Sequence, residues 1–585
     1  MKLGDWLDER TGHRAWVRSI AEATVPGGAR FAYAWGAALG VTLLVTAVTG
    51  VLLMTAYAPS STTAWASVAY IQNKLPAGWI VRGLHQFGAQ ASIVLVVIHL
   101  AYTIVRGAYR RPREVTYWVG LLLMGLVLAW AVTGNPLRWD QRGYWALRVE
   151  TGIIGTVPLI GPKLQDLLLG GGEPGSAALT RLYTIHVFVL PLIVGALAWW
   201  HLRLSRKHGP ALATPADAVK IDRWFPSQAA RDLLVSFVVL GVIFALTFRG
   251  HGAPLDAPAD PTSDYPARPE WYFLALYELR KPFHGALEPI ATVVIPGLIF
   301  AFLAALPLLD KKADRGVPRR LPLLLPVGLI GLGAAALTLK SIRLDTADAD
   351  LNKAVAKAEA RAERARSLAQ DGVPPEGALA MMRNDPMSRR VALFEQHCAS
   401  CHRMGDLAPA DGKDTAPELT GFGSAAWAKR VLEDPDHDRM FGKTSFKGMM
   451  PSVTKPPEDP EAAKVFTPMA AADMAAIVGF LEAEARGEKT AGTQGEKLVR
   501  QRCTSCHRLD GKTDDEESLA PELRGWGSNA WIQAQIDDPG SGKTYPAGAM
   551  DPKLEGHMPA FKDKLPEADR KLLTAFVAEE RSKKR

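Results

Sequence analysis

Seven long apolar segments alternate with polar, charged loops over the first 342 residues of the chain. A helix rises about 1.5 Å per residue, so each segment is long enough to cross a bilayer core of about 30 Å. Pro322 and Pro326 make the start of the last segment the least regular. The pattern therefore predicts an all-α, seven-helix transmembrane bundle, with helices near residues 31–56, 79–106, 115–134, 179–204, 231–250, 288–309 and 321–341.

Basic residues divide unevenly between the two sets of loops. One set (1–30, 106–114, 202–231 and 310–320) holds 20 Lys and Arg, whereas the longer loops of the other set (57–78, 135–178 and 249–287) hold 9. The positive-inside rule places the first set in the cytoplasm and sends the chain after the seventh helix to the outer side. Residues 1–30 contain no short apolar core followed by a cleavage site. We therefore predict no cleavable signal peptide, and a cytoplasmic amphipathic segment over 1–30, with a plain solvated arm as the alternative.

The chain after the seventh helix is polar and charged. Residues 343–387 predict a linker or stalk, with an exposed helix of mixed charge over 354–369. Residues 388–585 carry 29 Lys and Arg against 32 Asp and Glu, a net charge of −3. Since the whole chain has a net charge of +8, the rest of the chain carries +11. A basic membrane part joined to a slightly acidic polar part does not indicate nucleic-acid binding.

The last 200 residues contain an internal repeat. Each copy has an entry helix, a Cys-x-x-Cys-His motif, an Ala-Pro-Glu-Leu segment, a Met-Pro dipeptide and an exit helix. The repeat predicts two small helical modules, over 388–487 and 488–585. Cys-x-x-Cys-His is the attachment signature of covalent c-type haem; a zinc or redox Cys-x-x-Cys is the alternative. The two motifs contain every cysteine of the chain, namely Cys398, Cys401, Cys503 and Cys506.

The repeat also supplies candidate axial ligands for two c haems. The histidines of the motifs, His402 and His507, are the expected proximal ligands. The sixth ligand is expected to be a thioether from the Met-Pro dipeptides, hence Met450 and Met558. Met449 competes with Met450 for this role, and Met440 is a more remote alternative.

Two apolar segments carry histidine pairs of nearly equal spacing. His85 and His99 are fourteen residues apart on the second segment, and His186 and His201 are fifteen apart on the fourth. Fourteen residues make about four helical turns and about 21 Å of rise, so the histidines of a pair share a face at different membrane depths. The pairs predict two non-covalent b haems, an outer one on His85 and His186 and an inner one on His99 and His201. Interhelical hydrogen bonding is the alternative for a single intramembrane histidine.

Glycines on the first and third segments repeat the same interval. Glycine lets a flat macrocycle approach the backbone, although small residues also serve helix packing in membranes. The candidate haem contacts, each pair fourteen residues apart, are Gly36 with Gly50 and Gly120 with Gly134.

These features together resemble cytochrome b of the cytochrome bc complexes, fused to a C-terminal dihaem cytochrome c of class I type. The fifteen-residue step on the fourth segment is closer to the b/f branch. The Pro269-Glu270-Trp271-Tyr272 sequence resembles the family's quinol-oxidation motif, and the loop pieces 139–141, 143–145 and 158–161 resemble its outer-site loop. The resemblance divides the membrane part into a four-helix haem-binding domain (31–208) and a three-helix domain (209–342).

The resemblance also implies roles for individual residues. Arg82 and Arg113 look like the arginines beside the haem propionates, although Arg113 also fits the positive-inside pattern. Arg231 and Asp232 look like the basic and acidic pair of the inner quinone site; an aspartate at a helix start beside a positive-inside arginine is the alternative. Glu270 would accept a proton from quinol. Tyr272 would donate a hydrogen bond to the quinone oxygen, with Pro269 and Trp271 completing the motif. Two departures are Ala34, where the b/f branch has a haem-tethering cysteine, and Gln86, where it has arginine.

The function implied is that of a quinol:cytochrome c oxidoreductase subunit. Such a subunit oxidises quinol at the outer site, moves electrons to an inner quinone site, and passes others through c haems to a periplasmic acceptor. The partners implied are a separate Rieske iron–sulfur subunit, a second copy of the chain and membrane lipid. The location implied is a bacterial inner membrane, with the c modules in the periplasm. The alternatives are a b- and c-haem conduit or anchor for another dehydrogenase, and a haem sensor or assembly protein.

Overall fold

The computed structural model describes residues 3–211, 219–311, 317–409, 412, 414–549 and 557–583, and these are mostly helical with almost no strand. They form two units, Met1–Met381 and Met382–Arg585. Seven helices of the first unit are long and apolar enough to cross a membrane. The predicted all-α fold with a seven-helix membrane part is therefore confirmed.

The first unit contains fifteen α-helices among its described residues. In chain order they are α1 (Leu3–Thr11), α2 (His13–Ala21), α3 (Ala34–Met54), α4 (Ala64–Asn73), α5 (Gly78–Val105), α6 (Glu114–Gly134), α7 (Gln141–Gly155), α8 (Gly161–Leu169), α9 (Ser176–Thr184), α10 (Leu190–His208), α11 (Ala229–Arg249), α12 (Leu274–Arg280), α13 (Ile295–Leu309), α14 (Val317–Ala347) and α15 (Ala349–Leu368).

The membrane spans keep apolar side chains on most of their circumference, as lipid-facing helices do. Large apolar residues such as Leu44, Phe188 and Phe237 are exposed on the protein surface. The prolines of the last span lie inside one continuous helix, α14, rather than at a break. The spans are Phe31–Met54, Gly78–Val105, Glu114–Arg138, Ser176–His208, Trp224–Arg249, Gly285–Leu309 and Pro318–Ala347.

One π-helical turn, Ile185–Val189, joins α9 and α10 into the fourth span. A π turn inserts one residue relative to an α-helix. The turn contains His186, so it falls where the spacing to His201 is one residue longer than the spacing on α5. It therefore lets a fifteen-residue step on one helix match a fourteen-residue step on its neighbour.

A short antiparallel strand pair ties the N-terminal segment to the inner loop before α11. Strand β1 (Thr24–Pro26) pairs with β2 (Ile221–Arg223), with Val25 opposite Asp222. The all-α prediction did not include these strands. The preceding helices α1 and α2 keep Trp6 and Trp16 exposed. The amphipathic, interfacial character of residues 1–30 stays a prediction.

A buried ion cluster joins the loop after α5 to the two ends of the α13–α14 connection. The Asp310 carboxylate accepts from Tyr109 Oη at 2.7 Å and Arg320 Nε at 2.9 Å, and it also pairs with Arg110. Arg320 in addition donates to the carbonyls of Ile104 and Val105, both at 2.6 Å. The last carbonyls of α5 are thereby satisfied, as a buried helix end requires.

The predicted stalk helix is α15, and it is less exposed than expected. Ala362 and Ala365 are fully buried. Arg361 pairs with Asp260 at 3.1 Å, and Arg366 Nη1 donates to the Leu255 carbonyl at 2.8 Å. Small alanines at a three-residue interval let one face of the helix approach the outer loop closely.

The second unit contains the repeat. Its helices, in chain order, are α16 (Ala378–Asn384, which includes the boundary between the units), α17 (Pro386–His397), α18 (Ala425–Glu433), α19 (Pro460–Val465), α20 (Ala471–Arg486), α21 (Gln494–Arg502), α22 (Asn529–Asp537) and α23 (Glu567–Glu579). Phe394, Ile477, Leu498 and Leu573 belong to one shared apolar core.

The entry and exit helices are paired between the repeats. The entry helix of the first repeat, α17, packs on α23, which is the exit helix of the second. The entry helix of the second repeat, α21, packs on α20, the exit helix of the first. The sequence predicts two successive modules, whereas the structure interlocks them. An internal repeat allows this pairing because each exit helix offers a similar apolar face to either entry helix.

Candidate functional site

The four membrane histidines lie in two facing pairs. The ring centres of His85 and His186 are 6.3 Å apart, with an angle of 74° between the rings. Those of His99 and His201 are 6.4 Å apart at 75°. Two imidazoles that bind one metal along a common axis at about 2.0 Å per bond need ring centres about 6 Å apart. The spacing of both pairs therefore fits an iron bound between them.

The second nitrogen of the outer imidazoles is held by a neighbouring helix. His85 Nδ1 lies 2.9 Å from the Thr46 carbonyl of α3, and His186 Nδ1 lies 3.1 Å from the Trp130 carbonyl of α6. A metal-binding histidine commonly donates its other ring N–H to such a carbonyl. These bonds leave Nε2 of each ring as the nitrogen that can bind a metal.

The four predicted glycines contact the imidazoles directly. A Cβ atom placed on Gly36, Gly50, Gly120 or Gly134 would lie 3.2, 3.0, 3.1 and 2.5 Å from Cε1 of His99, His85, His201 and His186, respectively. The glycines therefore make room for the histidine rings, and their contact with a haem macrocycle stays a prediction. Each pair of histidines and its two glycines form one layer, an inner one around His99 and His201 and an outer one around His85 and His186. A larger residue at any of these positions would displace a ring.

The two predicted propionate arginines bind backbone carbonyls. Arg82 Nη1 and Nη2 donate to Ala253 and Pro254 at 2.5 and 2.6 Å, and Arg82 Nη1 also donates to Gln72 at 2.8 Å. Arg113 donates to the carbonyls that follow α10, including His208 at 2.8 Å. Both guanidinium groups thus fasten loops in this structure, and their role beside a propionate stays a prediction.

The Pro269–Tyr272 motif lies beside a buried arginine of the outer loop. Glu270 Oε1 is 3.6 Å from Arg138 Nη2, is inaccessible to solvent and has no hydrogen bond among the described residues. The Tyr272 ring packs edge-on against Trp271 at 5.4 Å. Burial, followed by the charge of Glu270, raises the pKa of Tyr272, so its hydroxyl remains a hydrogen-bond donor. A carboxylate and a donor are therefore available at one site.

A second carboxyl, that of Glu150, interacts electrostatically with Glu270 and belongs to no motif predicted from the sequence. Burial, and then the charge of Glu270, raises the pKa of Glu150 to about 8. Its Oε2 atom has no partner among the described residues. The signal for it was present in α7, because Glu150 follows the buried Gly143 and Leu147 at helical intervals. A carboxyl on the buried face of a helix is unusual unless it is paired.

The inner pair Arg231 and Asp232 lies at the start of α11. Asp232 accepts from Gln228 Nε2 at 2.7 Å and from Trp224 Nε1 at 3.2 Å. Arg231 donates to the Ser227 carbonyl at 2.5 Å, and its guanidinium lies 5.6 Å from the centre of the Phe31 ring. The carboxylate and the guanidinium therefore face different partners.

Both Cys-x-x-Cys-His motifs line one cavity of about 690 Å³ in the second unit. His402 Nδ1 is 2.8 Å from the Pro417 carbonyl, and His507 Nδ1 is 3.1 Å from the Pro521 carbonyl. Burial lowers the pKa of both histidines, which keeps the rings neutral. A neutral ring that donates through Nδ1 offers Nε2 to iron, so the donor set fits a haem ligand.

The thiols of the cavity bear on whether the motifs attach haem or act as redox cysteines, and the methionines bear on the sixth haem ligand. Burial raises the pKa of Cys398 to about 12, whereas a redox Cys-x-x-Cys needs a lowered one. Met450, Met449 and Met558 line the cavity. Met440 is buried and is not among the lining residues. Met469 lines the cavity as well, so four methionines are available there, and the two predicted ones, Met450 and Met558, are among them.

Comparisons with known proteins match two separate parts of the chain. The family model described as cytochrome b/b6/petB matches residues 20–209, and the cytochrome c model matches residues 492–580. Cytochrome b6 of Stigeoclonium helveticum is 35% identical over 208 residues, which is 36% of this chain and 97% of the relative. Cytochrome b6 of Porphyra purpurea is 34% identical over 208 residues, with the same coverage of 36% and 97%.

A solved structure is similar over more than half of the chain. It is titled "Hyperthermophilic respiratory Complex III", is 27% identical, has a TM-score of 0.51, and aligns with 58% of this chain and 91% of its own. The two family matches mean b-type and c-type haem binding in a multi-pass membrane protein. The chain belongs to the cytochrome b/b6 family and continues, beyond its membrane helices, into a cytochrome c part.

Proposed function

We propose that this chain is the b/c fusion subunit of a quinol:cytochrome c oxidoreductase. The observation that carries the proposal is the outer site, where Glu270 and Tyr272 lie beside Arg138 in the same unit as the two histidine pairs. A chain that served only as a haem anchor would not need a buried carboxylate and a phenol at its outer face. The similarity to cytochrome b6 and to a complex III structure supports the same assignment.

Four haems are proposed, and each has a defined set of holding residues. His85 with His186 would hold the outer b haem, and His99 with His201 the inner one, each pair at a ring spacing that suits iron. The two c haems would be held by the thioethers of the Cys-x-x-Cys-His motifs, by His402 and His507, and by methionine. When bound, these groups supply a one-electron path across the membrane and onward to a soluble acceptor.

At the outer site, the protein must remove two protons as quinol loses two electrons. Glu270 Oε1 is a buried oxygen without a hydrogen bond among the described residues, so it is free to accept a quinol proton. Tyr272 orients the substrate by donating its hydroxyl hydrogen to a quinone oxygen. Arg138 Nη2, 3.6 Å from Glu270 Oε1, places a positive charge beside this carboxylate.

At the inner site, protons are taken up rather than released. Asp232 is held by Trp224 and Gln228 at the cytoplasmic start of α11, where it can pass a proton to a reduced quinone oxygen. Arg231 supplies the positive charge that favours an anionic oxygen nearby. The neighbouring inner loop is basic, in keeping with the cytoplasmic side of a bacterial inner membrane.

The electron acceptor at the outer site is expected on a separate chain. All four cysteines lie in the two haem-attachment motifs, so none is left to hold a Rieske cluster. A Rieske iron–sulfur subunit, a second copy of this chain and a periplasmic cytochrome c or similar acceptor complete the proposed complex.

Purification of the native complex tests this composition. We expect a copurifying Rieske subunit, and a pyridine haemochrome ratio of b to c haem near one, because the chain has two histidine pairs and two attachment motifs. The subunits are identified by mass spectrometry. A single b haem per chain, or the absence of any iron–sulfur partner together with a lack of quinol oxidation, would contradict the proposal.

A further inference from the structure

The interlocked packing of the second unit is built from specific contacts. Arg389 of α17 forms a two-pronged ion pair with Asp569 of α23, with Nε–Oδ1 at 2.6 Å and Nη2–Oδ2 at 2.8 Å. The rings of Phe394 and Phe576 on the same two helices meet edge-on at 5.9 Å. Charge and aromatic contacts therefore join the entry helix of the first repeat to the exit helix of the second.

The reciprocal pair, α21 with α20, is equally close. A Cβ atom on Gly495 would lie 2.7 Å from Cβ of Phe480 and would collide with the Ala476 carbonyl. Only glycine allows this approach of the second entry helix to the first exit helix. Arg502, the last residue of α21, pairs with Asp473 in the first turn of α20 at 3.2 Å. The exchange is thus symmetric between the repeats.

The loops that follow the haem-attachment motifs take part in the same exchange. The Gly421 amide of the first repeat donates to Glu580 Oε2, just after the second exit helix, at 3.1 Å. The Gly525 amide of the second repeat donates to Glu484 Oε2, on the first exit helix, at 2.5 Å. Each attachment motif is therefore fastened, on both its entry helix and its following loop, to the end of the other repeat.

The loop that carries the methionine of the second repeat lies beside the first repeat. His397, which directly precedes Cys398, has its ring 6.0 Å from that of Phe561. Phe561 comes three residues after Met558. The segment that carries the second methionine thus lies beside the attachment motif of the first repeat. On the reciprocal side, Arg502 directly precedes Cys503 and pairs with the helix that follows the Met450 loop.

We propose that the axial ligation is exchanged between the repeats, so that Met558 binds the iron held by His402 and Met450 binds the iron held by His507. This inference rests on the proposed function for the number of c haems. All four ligands line the same cavity, so the cavity alone allows either pairing, and the helix and loop contacts decide between them. Neither repeat then forms a complete haem site by itself, and the two c haems are held in one interlocked body.

A spectral label on one haem tests the pairing in the full-length protein. Cys401→Ala leaves a haem attached through Cys398 alone, and the vinyl group that stays conjugated shifts the α-band of that haem to longer wavelength. The two c haems can then be followed separately in the reduced spectrum. Met558→Ala and Met450→Ala are introduced one at a time into this labelled chain, with exposed Met387→Ala as the control.

The exchange predicts that Met558→Ala abolishes the low-spin α-band of the labelled haem and keeps the unlabelled band. Met450→Ala should have the opposite effect, and Met387→Ala should keep both bands. The reverse pairing, with Met450→Ala acting on the labelled haem, would overturn the exchange and leave the proposed function intact. Fewer than two c haems in the unmodified chain would instead contradict the proposed function.

A charge swap checks the packing if the methionine variants do not accumulate. Arg389→Asp should lower the thermal midpoint of the c-haem absorbance change, and the double variant Arg389→Asp with Asp569→Arg should recover at least half of the loss. The matched control swaps Arg486 and Glu482, an exposed pair on one helix. Recovery supports the packing of α17 on α23 from which the exchanged ligation is inferred. A double variant no better than the sum of its single changes would overturn that packing and, with it, the exchanged ligation.

Discussion

His201→Ala is expected to remove the inner b haem and to leave the outer one in place. The His99 and His201 rings face each other at 6.4 Å, and the outer pair lies on a separate layer of the same helices. Loss of one imidazole leaves a low-spin site incomplete, so the b-to-c ratio should fall from about one to about one half. The outer haem should still be reduced by quinol, and electron delivery to the inner quinone should stop.

A histidine at the end of the same helix provides the control. His208→Ala, in the last turn of α10, changes a residue outside both pairs and should keep both haems. Redox titration with optical spectra measures which b haem remains. Loss of the outer haem's spectrum with retention of the inner one would show that the assigned layers are reversed.

Glu270→Gln should slow quinol oxidation about tenfold or more, the size expected for a lost general base. Glutamine keeps the shape of the side chain and cannot accept a proton, so both b haems and the fold should be retained. The measurement is steady-state reduction of cytochrome c by quinol in membranes, normalised to haem b. Glu173→Gln is the matched control, because Glu173 is an exposed outer carboxylate paired with Arg148.

The defect should shrink as the pH rises. Burial, and then the charge of Glu270, raises the pKa of Glu150 to about 8. Glu270→Gln removes that charge, so in the variant Glu150 loses its proton as the pH rises through a value below about 8. Ionised Glu150, together with hydroxide, then offers an alternative acceptor to a site that lacks Glu270. A Glu270→Gln enzyme as fast as the wild type at every pH would remove Glu270 from the proton path.

The membrane architecture could be predicted from sequence because it depends on composition over long windows. Seven apolar segments give seven helices, and histidines at helical intervals lie on one face. The π turn at Ile185–Val189 was not predictable in the same way. It depends on how the fourth span packs against its neighbours, and the only sign of it was a histidine step one residue longer than its counterpart.

The periodicity of the sequence could not predict which distant elements pack against each other. The repeat predicted entry and exit helices correctly, but any entry helix can pack on either exit helix, and Arg389 gives no sign that its partner is Asp569. The burial of α15 depended similarly on an outer loop about a hundred residues earlier in the chain. Glu150 was overlooked because its coupling to Glu270 exists only in the fold.

The central claim, quinol oxidation with the two electrons sent along different paths, is tested most directly by an oxidant pulse. The purified complex is reduced by quinol in the presence of an antimycin-type inhibitor of the inner site, oxidant is added, and the b-haem absorbance is followed. We expect the b haems to become more reduced, because withdrawal of one electron toward the Rieske subunit forces the other onto the b side. Oxidation of the b haems by the pulse would show a simple electron conduit and contradict the account.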